Sequence, residues 1–257
     1  MNILVCVKQV PESTGIGLKN ADSLARTFVG QVINPADESA LELALQLREK
    51  SGGTVSVITM GRQSAERMLR EIAARGADAL YLLNDPAFAG ADTLATALAL
   101  HAAIHKLGPF DLILCGRRTT DGETGQVGPE LAALQDIPVI TNVVEFTYEG
   151  GTATLQRLME HGMETMTCVL PAVVTMCEWS YPLRLPSLAG QKRARTVAVH
   201  RLGPDDIGLT RESCGLRGSP TRVLKLAEAV SENRKREISY DVAAGVKTVL
   251  QEIKARR

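Results

Sequence analysis

The residues best suited to chemistry lie between Asp111 and Leu131, in the stretch DLILCGRRTTDGETGQVGPEL. The apolar run at 112–115 predicts a buried parallel strand, and a polar, glycine-rich loop then leads into a helix near Pro129. A strand, such a loop and a helix N-terminus together present unpaired N–H groups to an anion. The pattern therefore indicates phosphate binding, although the spacing alone leaves open an ordinary strand-to-helix connection.

Three residues of this loop are candidates for contact with a phosphate. Gly122 and Gly125 allow the backbone to approach it closely, and Thr124 adds a hydroxyl donor. No Gly-Lys-Ser/Thr follows, so the loop is not a Walker loop. The sequence offers no catalytic triad, metal-ligand cluster or paired carboxylates. We therefore expect neither a catalytic side chain nor a metal, and assign the chemistry to a bound cofactor.

Composition excludes several other classes of protein. The formal net charge is zero, which argues against a nucleic-acid or anionic-membrane surface. No apolar run approaches the roughly 20 residues of a membrane span. Met1-Asn2 leads directly into a strand, so we expect no signal peptide and a cytoplasmic protein. The five cysteines form no C-x-x-C pair, which is typical of reduced, buried thiols.

The order of apolar segments predicts the fold. Strands at 3–7, 55–60, 79–83, 112–115 and 138–143 alternate with helices, which indicates an α/β fold with a doubly wound, mainly parallel sheet of order 3-2-1-4-5. In such sheets a ligand binds where the strand order reverses, here between the first and fourth strands. The residues after the first strand are therefore expected beside the loop that begins at Gly116.

The rest of the chain, from residue 145 onwards, has a different pattern. Residues 145–170 predict a small antiparallel extension with a turn at Gly150-Gly151, and the apolar run at 171–176 is able to rejoin the main sheet. Residues 178–195 are expected to be an irregular loop for a partner. We expect one nucleotide-binding domain at 1–200, and an extended arm at 201–257 whose final amphipathic helix docks on a neighbour, either this chain's own core or, as we prefer, another subunit.

These residues together closely resemble the β subunit of electron transfer flavoproteins. The resemblance runs from Met1 to the C-terminal helix, and its most specific part is Asp121-Gly122-Glu123-Thr124-Gly125-Gln126-Val127-Gly128-Pro129. Further matches are Val5-Cys6-Val7-Lys8-Gln9-Val10-Pro11, Asn34-Pro35, Ile58-Thr59-Met60-Gly61, Gly90-Ala91-Asp92-Thr93 and Pro171-Ala172-Val173-Val174-Thr175.

The resemblance implies a heterodimer whose α subunit carries one FAD. The β subunit then carries a second adenine nucleotide, either a structural AMP or, in electron-bifurcating members, an FAD that takes hydride from NADH. The run Asp121-Gly122-Glu123-Thr124 is similar to the bifurcating type, so FAD is the preferred cofactor and AMP the alternative. Thr119-Thr120 and Gly125 depart from the usual pattern and leave the identity of the nucleotide open.

The resemblance also implies roles for individual residues. Nucleotide contacts are expected from Cys6, Asn34, Met60, Thr93, Thr96, Gly116, Asp121, Gly122, Glu123, Thr124, Gly125, Gln126 and Val127. A helix cap and a helix-surface position remain the alternatives for the two threonines of the third helix. Arg184, Leu188 and Lys192 match a recognition loop for acyl-CoA dehydrogenases, with Leu188 expected to enter a pocket of the partner.

Two functions outside electron transfer are kept as alternatives. A hydrolase or adenylating enzyme would use the same loop to cleave ATP, but the sequence lacks the lysine and the base that such chemistry needs. A nucleotide-binding protein without redox partners is the other alternative.

Overall fold

The computed structural model describes residues 1–12, 30–223 and 240–255. The chain divides into two compact units, Met1–Val223 and Leu224–Arg257. The first unit includes a strand and several short helices between residues 199 and 218. The expected division into a domain at 1–200 and an arm at 201–257 stays a prediction. Part of the expected arm, residues 224–239, lies outside the described residues.

The strands of the described part are β1 (Asn2–Cys6), β2 (Gln9–Pro11), β3 (Gln31–Ile33), β4 (Thr54–Met60), β5 (Ala79–Leu83), β6 (Leu112–Gly116), β7 (Val139–Glu149), β8 (Thr152–Met159), β9 (Gly162–Val169), β10 (Ala172–Met176) and β11 (Val199–Leu202). The helices are α1 (Pro35–Ser51), α2 (Ala65–Arg75), α3 (Thr93–Leu107), α4 (Val127–Gln135), α5 (Leu188–Ala194), α6 (Gly215–Gly218) and α7 (Val242–Ala255).

The main sheet has the order β11-β5-β4-β1-β6-β10-β7-β8-β9. Its pairs are parallel from β11 through to β7, which confirms the α/β fold with a mainly parallel sheet. The expected order 3-2-1-4-5 needs one correction, because β10 lies between the fourth and fifth predicted strands. All five residues of β10 are buried, and a strand of that kind belongs inside a sheet covered on both faces.

The predicted antiparallel extension is confirmed as the ribbon β7-β8-β9. The fifth predicted strand and the first strand of the extension form one continuous strand, β7. Burial along β8 alternates between buried and exposed at its start, as expected for a ribbon with one wet face. A separate two-stranded antiparallel sheet joins β2 to β3.

The core lies on both faces of the sheet. Successive residues of β1 point to opposite faces, so Ile3 and Val5 pack with α1 and α2, whereas Leu4 and Cys6 pack with α3 and α4. The sheet is therefore doubly wound, and the carboxyl ends of its parallel strands face one edge together with the N-termini of the helices that follow them. All five cysteines are free thiols.

The second unit, as far as it is described, contains α7, in agreement with the predicted helix at 241–255. Its apolar side chains Val242, Val246, Val249, Leu250 and Ile253 are between 52% and 77% exposed. Docking of this helix on a neighbour stays a prediction. Among the described residues, no helix combines the length and the apolar character that crossing a membrane requires.

Candidate functional site

The site is built where the strand order reverses. Strand β1 pairs with β4 on one side and with β6 on the other, with Val5 opposite Leu114. The residues that follow β1 therefore lie beside the loop that follows β6, as the sequence predicts. We call residues 116–126, which join β6 to α4, the nucleotide loop.

Two glycines of the nucleotide loop are required by its geometry. A Cβ on Gly116 would lie 2.8 Å from the Cβ of Ala36 and would overlap the carboxylate of Asp37. Gly125 has a φ of +65°, a left-handed conformation that favours glycine. At Gly122 a Cβ would meet only the hydroxyl oxygen of Thr119, at 3.5 Å. Among the described residues, therefore, no steric contact requires glycine at position 122.

The loop offers free amides. Within the described residues, the N–H groups of Thr124, Gly125 and Gln126 donate no hydrogen bond. Helix α4 follows at once, and no side chain caps its first turn. Its first N–H groups also lack partners within the helix, and the helix dipole adds positive potential at the same place. The arrangement fits a phosphate group, because consecutive N–H groups at a helix N-terminus lack protein acceptors among the described residues.

Helix α3 borders the same region. The hydroxyl of Thr93 lies 3.1 Å from Oε1 of Gln126 and 3.0 Å from Oε1 of Glu130, so it bridges the starts of α3 and α4. Thr96 donates to the carbonyl oxygen of Asp92 at 2.7 Å, which is the behaviour of a helix-surface threonine. The expected contacts of both threonines with a nucleotide stay predictions.

Cys6 and Met60 also reach this edge of the sheet. They end β1 and β4, and they belong with Val127 to the hydrophobic cluster on the α3/α4 face of the sheet. The structure thus places these three predicted site residues on the same face of the sheet.

Asn34 has a structural role at this site. Its side chain is only 1% exposed, and its Nδ2 donates to the carbonyl oxygen of Arg118 at 2.9 Å. Its Oδ1 accepts the N–H of Thr120 at 3.2 Å. The amide therefore holds the nucleotide loop, and the expected contact of Asn34 with a nucleotide stays a prediction.

Sequence reasoning missed two charged residues near the loop. Asp37, in the first turn of α1, is 4% exposed, and burial raises its pKa to about 7. No local pattern in the sequence distinguishes it from an ordinary acidic residue at a helix start. Lys8 is the second, and its Nζ lies 2.8 Å from Oδ1 of Asp121.

An ion pair supports the start of the loop. Arg117 donates to both carboxylate oxygens of Glu178, at 2.7 and 2.6 Å, and Arg118 lies 3.5 Å from the same group. The hydrogen bonds from Arg117 lower the pKa of Glu178 to about 2, and the same contact raises the pKa of Arg117. Nothing in the spacing of these residues along the chain had indicated the pair.

We expect this pair to make stability depend on pH. Because the pKa of Glu178 is lower in the folded state than its ordinary 4.5, its contribution is present above that value and is lost as the pH falls towards 2. The Glu178→Gln variant should therefore lose less of its free energy of unfolding than the wild type between pH 5 and pH 3. Urea unfolding at both pH values measures the difference, and equal losses would contradict the expectation.

The expected partner segment is only partly irregular. Residues 188–194 form α5, which Ser187 caps by accepting the N–H of Gly190 at 3.0 Å. Leu188 begins this helix and is 86% exposed, and Lys192 is exposed on its last turn. Because serine is a preferred N-cap residue, Ser187 could have indicated the start of this helix from the sequence alone.

Arg184 is engaged within the chain. Its guanidinium contacts the carboxylates of Glu42 and Glu49 on α1. The hydrogen bonds that Arg184 donates to both carboxylates raise its pKa. Burial acts to raise the pKa of Glu42, but hydrogen bonds from Arg184 and Gln46 outweigh it and lower that pKa. The pair anchors residues 181–185, and a direct contact of Arg184 with a partner stays a prediction.

Comparison with known proteins agrees with this geometry. Residues 23–206 match the family model described as "Electron transfer flavoprotein domain". The chain is 40% identical over 258 residues to an electron transfer flavoprotein subunit beta of Thermoanaerobacterium thermosaccharolyticum, covering 100% of this chain and 99% of that protein.

Two further relatives carry other names. The caffeyl-CoA reductase-Etf complex subunit CarD of Acetobacterium woodii is 41% identical over 227 residues, covering 88% of this chain and 87% of that protein. Protein FixA of Azorhizobium caulinodans is 36% identical over 267 residues, covering 100% and 95%. With a family model that matches most of its length and relatives at this level of identity, the chain belongs to the electron transfer flavoprotein family, among its β subunits.

Proposed function

We propose that this chain is the β subunit of a heterodimeric electron transfer flavoprotein and binds an adenine nucleotide in the nucleotide loop. The observation that carries the proposal is the row of free amides at Thr124, Gly125 and Gln126, placed against the start of α4. Hydrolysis of ATP has no such support, because the described loop brings no lysine after its glycines.

The proposed nucleotide is FAD, with AMP as the alternative. When bound, an FAD would supply hydride and single-electron transfer, with NADH as the source of hydride in a bifurcating protein. The chain would contribute binding: free amides for the phosphates, and the apolar side chains of Cys6 and Met60 for the adenosine end. The sequence Asp121-Gly122-Glu123-Thr124, similar to that of bifurcating members, supports FAD.

The identity of the nucleotide can be tested directly. The chain, co-expressed with an α subunit and purified through a tag on one partner, should hold two flavins per heterodimer, and NADH should bleach flavin absorbance without another enzyme. One flavin together with one AMP would refute the bifurcating assignment and leave the carrier function. Failure of the α subunit to co-purify would overturn the heterodimer.

We propose that the exposed surface of α5 receives an enzyme of the acyl-CoA dehydrogenase type. A relative 41% identical to this chain belongs to a complex with a caffeyl-CoA reductase, which is consistent with an acyl-CoA enzyme as partner. Leu188 is the proposed anchor, because it lies at the start of a capped helix and is 86% exposed. Burying this apolar side chain in a partner would be favourable, as for the central residues of protein interfaces.

Replacing this anchor should slow electron transfer without emptying the nucleotide site. We expect Leu188→Ala to lower kcat/KM with the dehydrogenase by roughly tenfold or more, as for truncation of a central interface residue. Leu216→Ala, at an exposed leucine of α6, is the control and should change the rate less than twofold. Loss of bound nucleotide from Leu188→Ala would instead place Leu188 in the support of the core.

A further inference from the structure

One buried carboxylate joins the two strands that flank the proposed site. Asp37 lies in the first turn of α1 and accepts three hydrogen bonds. The N–H of Lys8 donates to Oδ2 at 2.7 Å, and the N–H of Gly116 donates to Oδ1 at 3.0 Å. Nδ2 of Asn34 also donates to Oδ1, at 3.0 Å. The carboxylate thus connects the chain after β1, the end of β6 and the start of α1.

Asn34 carries this connection into the loop. Besides Asp37, its Nδ2 donates to the carbonyl oxygen of Arg118, and its Oδ1 accepts the N–H of Thr120. Both hydrogens and the oxygen of the amide are therefore used. We call Asp37, Asn34 and the backbone groups they bind the Asp37 network; its bonds reach the nucleotide loop at residues 116, 118 and 120.

Capping of α1 does not explain the network. Asn34 occupies the N-cap position, but its side chain makes no capping hydrogen bond. The oxygens of Asp37 are directed to strand and loop amides instead of to N–H groups of its own helix. Burying a carboxylate is unfavourable, and the raised pKa of Asp37 reflects that cost. The hydrogen bonds of the network hold the loop in a defined position.

We propose that Asp37, acting through Asn34, is a positioning residue that holds the nucleotide loop in its binding geometry before the nucleotide arrives. This inference rests on the proposed nucleotide site. A loop ordered in advance loses less conformational entropy on binding, because its free amides do not have to be positioned when the nucleotide arrives. Breaking the network at Asp37, which is not among the expected nucleotide contacts, should therefore weaken nucleotide binding.

The test uses the full chain with its α subunit, stripped of nucleotide, at pH 8, where Asp37 is ionised. In Asp37→Asn the new amide group faces backbone donors, and in Asn34→Ala the bonds to residues 118 and 120 are lost. Both variants should bind FAD and AMP at least tenfold more weakly by calorimetry. In both, hydrogen exchange of the peptide 116–121 should be faster than in the wild type.

Asp111→Asn is the matched control. Asp111 also accepts a backbone N–H of β1, that of Asn2 at 2.7 Å, but it does so at the opposite edge of the sheet. This variant should keep its nucleotide affinity within about twofold of the wild type, with hydrogen exchange at 116–121 unchanged. An effect in this control as well would show that any lost contact to β1 disturbs the loop.

Wild-type affinity together with wild-type exchange at 116–121 in the two variants would overturn the inference. If Asp37→Asn does not fold, hydrogen exchange at 116–121 in Asn34→Ala decides the question, because Asn34 is itself an expected nucleotide contact and a lost contact would lower affinity without loosening the loop. If the wild type binds neither FAD nor AMP, the proposed nucleotide site fails. The exchange rates at 116–121 would still decide whether the network holds the loop.

Discussion

Gly116→Ala is expected to empty the proposed nucleotide site. The added methyl group would overlap the carboxylate of Asp37 and lie 3.0 Å from the backbone carbon of Ala36. Neither is the free end of a flexible side chain, so the end of β6 must move away from α1. Overpacking of this kind costs roughly 1–3 kcal/mol of folding free energy. Because the loop is displaced, the affinity for the nucleotide should fall at least tenfold. Thermal unfolding and nucleotide content after purification measure the two effects.

Gly122→Ala is the control for this substitution. Position 122 lies in the same loop, but the added methyl group would have ordinary contact distance to Thr119 and no strained backbone. Its stability should match that of the wild type within about 0.5 kcal/mol. Equal losses of folding free energy in the two alanine variants would show that the close approach between α1 and β6 does not govern the loop.

Arg184→Met should destabilise the first unit by about 3 kcal/mol, because it leaves the buried carboxylate of Glu42 without its cation. The side chain of Glu42 is 6% exposed, so water cannot replace the lost hydrogen bonds. The pKa of Glu42, which Arg184 helps to keep low, should rise in the variant. Urea unfolding at pH 7 measures the loss, and the double variant with Glu42→Gln should recover part of it.

Arg201→Met is the matched control for the arginine. Arg201 also pairs with a glutamate, Glu66, at 2.6 Å, but its side chain is half exposed. A surface pair of this type contributes about 0–1 kcal/mol. If the two arginine variants are equally stable, the buried ion pair does not anchor residues 181–185, and Arg184 becomes available as a direct partner contact.

Apolar runs in the sequence predicted nearly all of the sheet. Runs such as 112–115 are buried on both faces, so their composition alone marks them as parallel strands. The position of β10 was not predictable in this way, because it depends on pairing with β6 and β7, and β6 is distant in the sequence. The local pattern indicated only that 171–176 was apolar enough to enter the sheet.

The nucleotide loop was recognisable because its features are local. A strand, glycines and a helix start follow each other within about twenty residues, and Gly125 has the conformation for which glycine is favoured. The roles of Gly116, Asn34 and Asp37 were not recognisable, because they depend on α1 packing against the ends of β1 and β6. Likewise, Arg184 appeared as a surface charge until the fold placed Glu42 and Glu49 beside it.

The content of adenine nucleotide in the purified heterodimer tests the central claim most directly. Denaturing the complex and separating the released nucleotides should give two adenine nucleotides per heterodimer, of which one belongs to this chain, as FAD or as AMP. In the Gly116→Ala complex the second nucleotide should be absent. A wild-type complex that releases a single adenine nucleotide per heterodimer would contradict the assignment of the nucleotide loop.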